Sequence, residues 1–138
     1  MKFMLLLKAD EATESGQTPS TDEITAMGRY NEELINDGVL LAGEGLHSSS
    51  QGARVDFEGE ARAVTDGPFA ETKELIAGFW ILQAGSLEEA VERARRAPLS
   101  SGRIEVRRVY DVSEFDQDNE FVQKEVQWRE EHRQSRTA

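Results

Sequence analysis

Two short apolar runs constrain the fold of this chain more than any other feature. Residues 3–7 read FMLLL and residues 79–82 read FWIL, so both runs are apolar at odd and at even positions. Neighbouring side chains of a β-strand point to opposite faces of its sheet, and a strand with two apolar faces is normally covered on both. The sequence therefore predicts two central strands, over 2–9 and 77–84, with other parts of the structure packed on each side of them.

Capping residues predict two helices. Ser20 and Ser86 each stand three residues before a glutamate, Glu23 or Glu89, which is the pattern of a capping box. The first helix is expected to end at Gly38. The apolar residues at helical spacing are Ile24, Met27, Leu34 and Ile35 in the first helix, with Asn31 among them, and Leu87, Ala90, Val91 and Ala94 in the second.

The remaining segments complete a recognisable order of elements. Residues 39–46 and 102–110 read as strands, residues 53–64 as a hairpin around Glu58-Gly59, and residues 10–19 as a surface loop. The order is then strand, helix, strand, hairpin, strand, helix, strand, a βαββαβ unit with a hairpin inserted in its middle. The sequence therefore predicts an α+β, ferredoxin-like fold whose antiparallel sheet carries both helices on one face.

The second face of this sheet also needs a cover. A second copy of the sheet would supply it, so we expect a face-to-face homodimer. The alternative is that the C-terminal segment folds back over the open face. We assign residues 1–111 to the domain and residues 112–138 to a tail. The tail helix should begin near Asp118 or Asn119, fray after His132, and pack on the rim of the domain or on a partner subunit.

Length and composition limit the classes of function. The chain has 138 residues and no cysteine, so it fits one domain without disulfides or thiolate chemistry, and we expect a cytoplasmic protein. A net charge of −11 disfavours direct binding to nucleic acid, and the apolar N-terminal run is too short to span a membrane. Because no phosphate loop, dinucleotide fingerprint or recognised metal-ligand motif occurs, the sequence predicts neither a cofactor nor a metal site.

His47 and Asp66 are the predicted catalytic residues. His47 is the only histidine of the domain, and an imidazole that titrates near neutral pH can act as a general base; a surface histidine at a strand end is the alternative. Asp66 precedes Gly67-Pro68, a turn that can hold the carboxylate in one direction, where it could orient an imidazole. The alternative is that this carboxylate bonds to the amides of its own turn. No serine or cysteine nucleophile is placed by a motif, so the pair indicates proton transfer.

Four further charged residues are predicted to bind the substrate: Glu44, Arg54, Glu71 and Lys73. Arg54 begins a hairpin strand, where its cation could hold an anionic group. Glu71 and Lys73 flank Thr72 in a charged turn, and solvation of that turn is the alternative.

Long parts of the chain resemble the YCII-related family, and specifically its DGPF branch. The resemblance spans residues 2 to about 111 and is carried by MKFMLLLKADE, AGEGLH (42–47), VTDGPFAETKELIAGFWIL (64–82), EEAVERARRAP and IEVRRVYD. It implies a ferredoxin-like dimer of the dimeric α/β-barrel superfamily. It also implies a cleft with a histidine and an aspartate as the candidate active site, and His47 stands at the histidine of the family's GEGLH pattern.

Two classes of function follow from this resemblance and from the residues. The first is a small cofactor-free enzyme of lyase or isomerase type that moves a proton on a small organic molecule; a few family members are tied to lyase-type steps on small ring compounds. The second is a non-catalytic homodimer that binds a small ligand or has a regulatory role, since genes of this branch often lie beside extracytoplasmic-function sigma factors. In the second case the DGPF turn would be a structural clasp.

Overall fold

A computed structural model describes residues 1–71 and 74–137, and for residues 134–137 it describes only the backbone. Within this part of the chain the strands are β1 (Lys2–Lys8), β2 (Leu40–Gly45), β3 (Ala53–Glu58), β4 (Ala61–Asp66), β5 (Ile76–Gln83) and β6 (Ile104–Arg108). The helices are α1 (Glu11–Glu14), α2 (Thr21–Asn36), α3 (Leu87–Arg95) and α4 (Glu120–Thr137), with 3₁₀ turns at Ser49–Gln51 and Val112–Glu114.

The main sheet has the strand order β2-β5-β1-β6, and each neighbouring pair is antiparallel. This is the order of a ferredoxin-like βαββαβ unit, so the predicted fold class is confirmed. Strands β3 and β4 pair only with each other and form the predicted inserted hairpin. Its turn contains Gly59, whose φ of 59° suits glycine.

One face of the main sheet carries the hydrophobic core. Residues paired across neighbouring strands share a face, and Leu5 lies opposite both Trp80 and Val106. Tyr30 and Leu34 of α2 and Ala90 of α3 pack against this face. The Tyr30 ring meets the Trp80 ring edge-on, with 5.6 Å between centroids, and its hydroxyl donates a hydrogen bond of 2.9 Å to the Arg93 carbonyl.

The opposite face of the sheet carries a second apolar set. The register places Met4, Leu6, Phe79 and Ile81 on this face, and their side chains are half-buried. The central strands therefore carry apolar side chains on both faces of the sheet, as the two runs predicted. Helices α2 and α3 pack on the face opposite this second apolar set.

Both main helices begin where their caps predicted. The Ser20 hydroxyl accepts a hydrogen bond from the Glu23 amide at 3.2 Å, and the Ser86 hydroxyl accepts one from the Glu89 amide at 3.1 Å. The predicted buried stripes were too wide, because of their members only Leu34 and Ala90 are fully buried, together with Tyr30, which was not predicted. The residues left exposed are Ile24, Ile35, Leu87 and Val91.

Two elements differ from the sequence prediction. Residues 11–14, expected to lie in a loop, form the short helix α1, because the Asp10 carboxylate accepts from the Thr13 amide and the Thr13 hydroxyl accepts from the Asp10 amide. Helix α4 begins next to Asn119 as predicted, since the Asn119 side chain accepts from the Phe121 amide at 2.9 Å. It continues to Thr137, past the expected fraying point. None of the described helices is long and apolar enough to cross a membrane.

Candidate functional site

The DGPF segment is fastened to the loop that follows β2. The Gly67 amide donates to the Gly52 carbonyl at 3.0 Å, and the Phe69 amide donates to the Ser49 hydroxyl at 3.0 Å. A Cβ atom on Gly67 would lie 1.7 Å from the Ser49 carbonyl oxygen. Only glycine permits this approach of two backbones, which gives the glycine of the DGPF motif a structural reason.

Helix α1 holds the same loop from its other side. The Ser48 hydroxyl donates to the Glu14 carbonyl at 2.6 Å, and the Glu14 carboxylate accepts from both the amide and the hydroxyl of Ser49. Ser48 is 8% exposed. Ser49 therefore joins α1 to the DGPF segment, and we call residues 14, 48–52 and 66–71 with these contacts the clasp.

Arg54 and Glu71 also belong to this region. The Arg54 guanidinium forms an ion pair of 3.1 Å with Glu71 and lies 3.9 Å from the centroid of the Phe69 ring. A hydrogen bond from its own backbone amide lowers the pKa of Glu71, and the hydrogen bond and charge of Arg54 lower it further. Because the pKa of Glu71 is lowered, the Arg54–Glu71 ion pair contributes its full stability above the ordinary pKa of a glutamate. This contribution is lost as the pH falls through the lower pKa of the folded state. Both residues were predicted to bind substrate; in the structure they bind each other, and a role towards a ligand stays a prediction.

His47 directly precedes residues 48–52 of the clasp, and Asp66 is the first clasp residue of the DGPF segment. Both side chains are exposed, and among the described residues neither makes a hydrogen bond or an ion pair. The amides of Gly67 and Phe69, which follow Asp66, are bonded to Gly52 and Ser49. The Asp66 carboxylate is therefore not used by these turn amides, and it is available to another partner. That His47 and Asp66 act together stays a prediction.

The other predicted residues fall in different places. Glu44 lies opposite Phe79 in the sheet, and the two therefore share the face away from α2 and α3. Lys73 lies outside the described residues. Among the residues that are described, no group of three or more histidine, cysteine, aspartate or glutamate side chains is arranged to hold a metal ion.

A small pocket lies between α2 and the end of the sheet from which His47 emerges. It has a volume of about 240 Å³, and its lining includes Met27, Asn31, Gly43, Gly45, Gly78 and Trp80. The Leu46 amide donates to the Ala77 carbonyl at 2.8 Å, so His47 directly follows a strand end that borders the pocket. A larger open groove of about 620 Å³ lies beside α3, and none of the described candidate residues lines it.

Asn31 is the pocket residue that sequence reasoning passed over. The sequence placed Asn31 within the apolar stripe of α2. A polar side chain on that buried face was the signal that could have identified it. Its Oδ1 accepts a hydrogen bond of 2.8 Å from the Trp80 indole Nε1. Ser49 was likewise given no role by the sequence motifs, and it is the central contact of the clasp.

Comparison with known proteins identifies the family. The model of the YCII-related domain matches residues 1–116. The chain belongs to the YCII-related family. A relative from Rhizobium meliloti (strain 1021), the uncharacterized protein R00369, is 31% identical over 112 residues, which are 78% of this chain and 90% of that one.

A solved structure shows a more distant likeness to this YCII-related chain. It is the 5-chloro-2-hydroxyhydroquinone dehydrochlorinase (TftG) from Burkholderia phenoliruptrix AC1100 in complex with 2,5-dihydroxybenzoquinone. The match has a TM-score of 0.43 and 16% sequence identity, and it covers 84% of this chain and all of the other.

Proposed function

We propose that this YCII-related protein is a small cofactor-free enzyme of lyase or isomerase type, with His47 as general base and Asp66 as its partner. The observation that carries the proposal is that the turn amides after Asp66 are bonded elsewhere. A carboxylate that only stabilised its turn would accept from those amides. The clasp instead fixes the backbone that follows Asp66 and leaves its carboxylate open.

The proposed chemistry is a proton transfer at a carbon next to a carbonyl group. A ring nitrogen of neutral His47 takes the proton, the electron pair of the C–H bond moves towards the carbonyl oxygen, and the Asp66 carboxylate stabilises the imidazolium that forms. Return of the proton to another atom gives an isomerase. In a lyase, the electron pair held on the carbonyl oxygen returns to form a carbon–carbon double bond, and the leaving group departs from the neighbouring carbon with the electron pair of its own bond. Neither route requires an oxidant or a reductant.

Deuterium exchange tests this function without knowledge of the natural substrate. Cyclohexanone is a suitable probe because its C–H groups next to the carbonyl exchange slowly with solvent by themselves. In D₂O the protein should accelerate this exchange at least about 100-fold relative to free imidazole at the same concentration. This factor is the lower end of the range for general base catalysis. The rate is read from the loss of the proton NMR signal. Exchange no faster than with imidazole, for ketone shown to be bound, would contradict the proposal.

The contacts of the clasp favour one alternative, a non-catalytic homodimer that binds a small ligand or has a regulatory role. Ser49, Arg54 and Glu71 are each occupied by structural contacts, as a purely structural DGPF turn would require. We also propose that the chain belongs to the DGPF branch of the family, because residues 66–69 read DGPF; the glycine and the phenylalanine of that motif both make clasp contacts. Binding of the ketone without exchange is the result that would favour this alternative.

We further propose that the protein is a homodimer whose interface is the sheet face carrying Met4, Leu6, Phe79 and Ile81. Wild-type protein should sediment as a dimer at micromolar concentration. Leu6→Asp places a charge on this face and should give a monomer, because a charge buried in an apolar interface without a partner is strongly unfavourable. The matched control is Leu6→Met, which keeps an apolar side chain of similar size at the same position and should remain dimeric. A monomeric wild-type protein would refute this assembly.

A further inference from the structure

The pocket between α2 and the sheet exists because three residues there lack side chains. Gly45 lies opposite Gly78, and Gly43 lies opposite Trp80, on the face that α2 covers. A Cβ atom on Gly45 would meet no atom within 4 Å, whereas one on Gly43 would lie 3.3 Å from Cδ1 of the Trp80 ring. The open space is therefore at the Gly45 end, next to the segment that leads to His47.

Asn31 supplies an oriented polar group to this pocket. An indole N–H can only donate, so its hydrogen bond to Asn31 fixes the amide oxygen towards Trp80. The amide NH₂ then points away from the indole, and no hydrogen bond from it to a described residue is formed. Among the described residues no buried side-chain nitrogen or oxygen lacks a partner, so this NH₂ is at least partly accessible, and Asn31 is one of the residues that line the pocket.

Charge and size narrow the class of ligand. The charged residue in the lining is Glu44, and the register places its side chain on the opposite face of the sheet. The chain as a whole carries a net charge of −11, which disfavours anions. A volume of about 240 Å³ exceeds that of a cavity known to hold one benzene ring, about 150 Å³, and lies below the usual range for drug-sized ligands.

We propose that this pocket binds a neutral, largely apolar molecule of about one ring, which places a carbonyl or hydroxyl oxygen on the Asn31 amide. The Trp80 ring provides an apolar wall, and the glycine positions provide room beside it. This inference deepens the proposed function, because it names where the substrate lies and what class it belongs to. The inference depends on the proposed function only for the reaction that follows binding. Binding of the molecule to the pocket is measured separately.

NMR titration with cyclohexanone and toluene tests the proposal. Both are neutral rings of similar size, and only the ketone offers a hydrogen-bond acceptor. Cyclohexanone should shift the side-chain NH₂ signal of Asn31 and the indole signal of Trp80 with a millimolar Kd, a range typical of such small ligands. Toluene should shift the indole signal and leave the Asn31 NH₂ signal nearly unchanged. Absence of these ketone shifts at about 10 mM would overturn the proposal.

Two variants separate the parts of the site. Asn31→Asp keeps an oxygen acceptor for the Trp80 indole and removes the NH₂ donor, so cyclohexanone affinity should fall about tenfold, the effect of losing one such hydrogen bond, while toluene binding should change less. Gly45→Val fills the open space and should abolish binding of both probes. Gly52→Ala, which lies outside the pocket, is the control and should bind as wild type does.

The outcomes distinguish this inference from the proposed function. Unchanged ketone affinity in both Asn31→Asp and Gly45→Val would overturn the pocket assignment. Cyclohexanone binding that is sensitive to both changes, without deuterium exchange, would contradict the proton-transfer function and support the pocket. A circular dichroism spectrum like that of wild type checks that each variant is folded.

Discussion

Gly67→Ala is expected to destabilise the protein by about 3 kcal/mol or more, at the upper end of the range for forced overpacking. The added Cβ would lie 1.7 Å from the Ser49 carbonyl oxygen and 2.6 Å from its carbon. Both are backbone atoms, so no side-chain rotation can relieve the clash. The two segments must separate, which breaks the hydrogen bonds from the Gly67 and Phe69 amides. Urea denaturation monitored by circular dichroism gives the change in the free energy of unfolding.

Gly52→Ala is the matched control for this prediction. Gly52 lies in the same clasp, but its φ is −119° and a Cβ there would lie 3.5 Å from the Ser49 carbonyl oxygen, an ordinary contact. This substitution should change stability by no more than about 0.5 kcal/mol, as for most surface positions. If the two variants were equally stable, the close approach at Gly67 would not be a requirement of the fold.

His47→Gln should reduce the deuterium exchange of cyclohexanone about 100-fold or more, which is the contribution expected of a general base. Glutamine keeps a polar side chain of similar reach and cannot accept the proton. Because His47 is exposed and makes no hydrogen bond to a described residue, the free energy of unfolding should change little. This combination of lost rate and retained stability is specific to a chemical role.

His132→Gln controls for histidine content, since His132 is the other histidine of the chain and lies in α4. It should exchange the ketone as fast as wild type does. Equal losses in both variants, or none in His47→Gln, would show that the measured exchange does not depend on the proposed base.

The sequence predicted the main sheet and its helices because those elements have local signals. The runs at 3–7 and 79–82 are apolar at every position, and Ser20 and Ser86 cap their helices as their spacing suggested. Helix α1 was missed because four residues are too few to show helical periodicity. Its cap uses Thr13 in place of the glutamate or glutamine of the usual capping box.

The clasp and the pocket could not be predicted in the same way, because their contacts are distant in sequence. Glu14 and Ser49 are 35 residues apart, and Asn31 and Trp80 are 49 residues apart. No local rule pairs such residues. A motif could direct attention to Asp66 and Gly67, but only the tertiary structure shows that the turn amides beyond Asp66 are bonded elsewhere.

A double-mutant cycle on His47 and Asp66 tests most directly whether the two residues form one catalytic unit. Exchange of cyclohexanone is measured for wild type, His47→Gln, Asp66→Asn and the double variant. We predict that Asp66→Asn alone slows exchange about tenfold or more, since it removes the charge that stabilises the imidazolium. The double variant should then be as slow as His47→Gln within about twofold, because groups that act as a unit are not additive. A double variant slowed by the product of the two single effects would contradict the account.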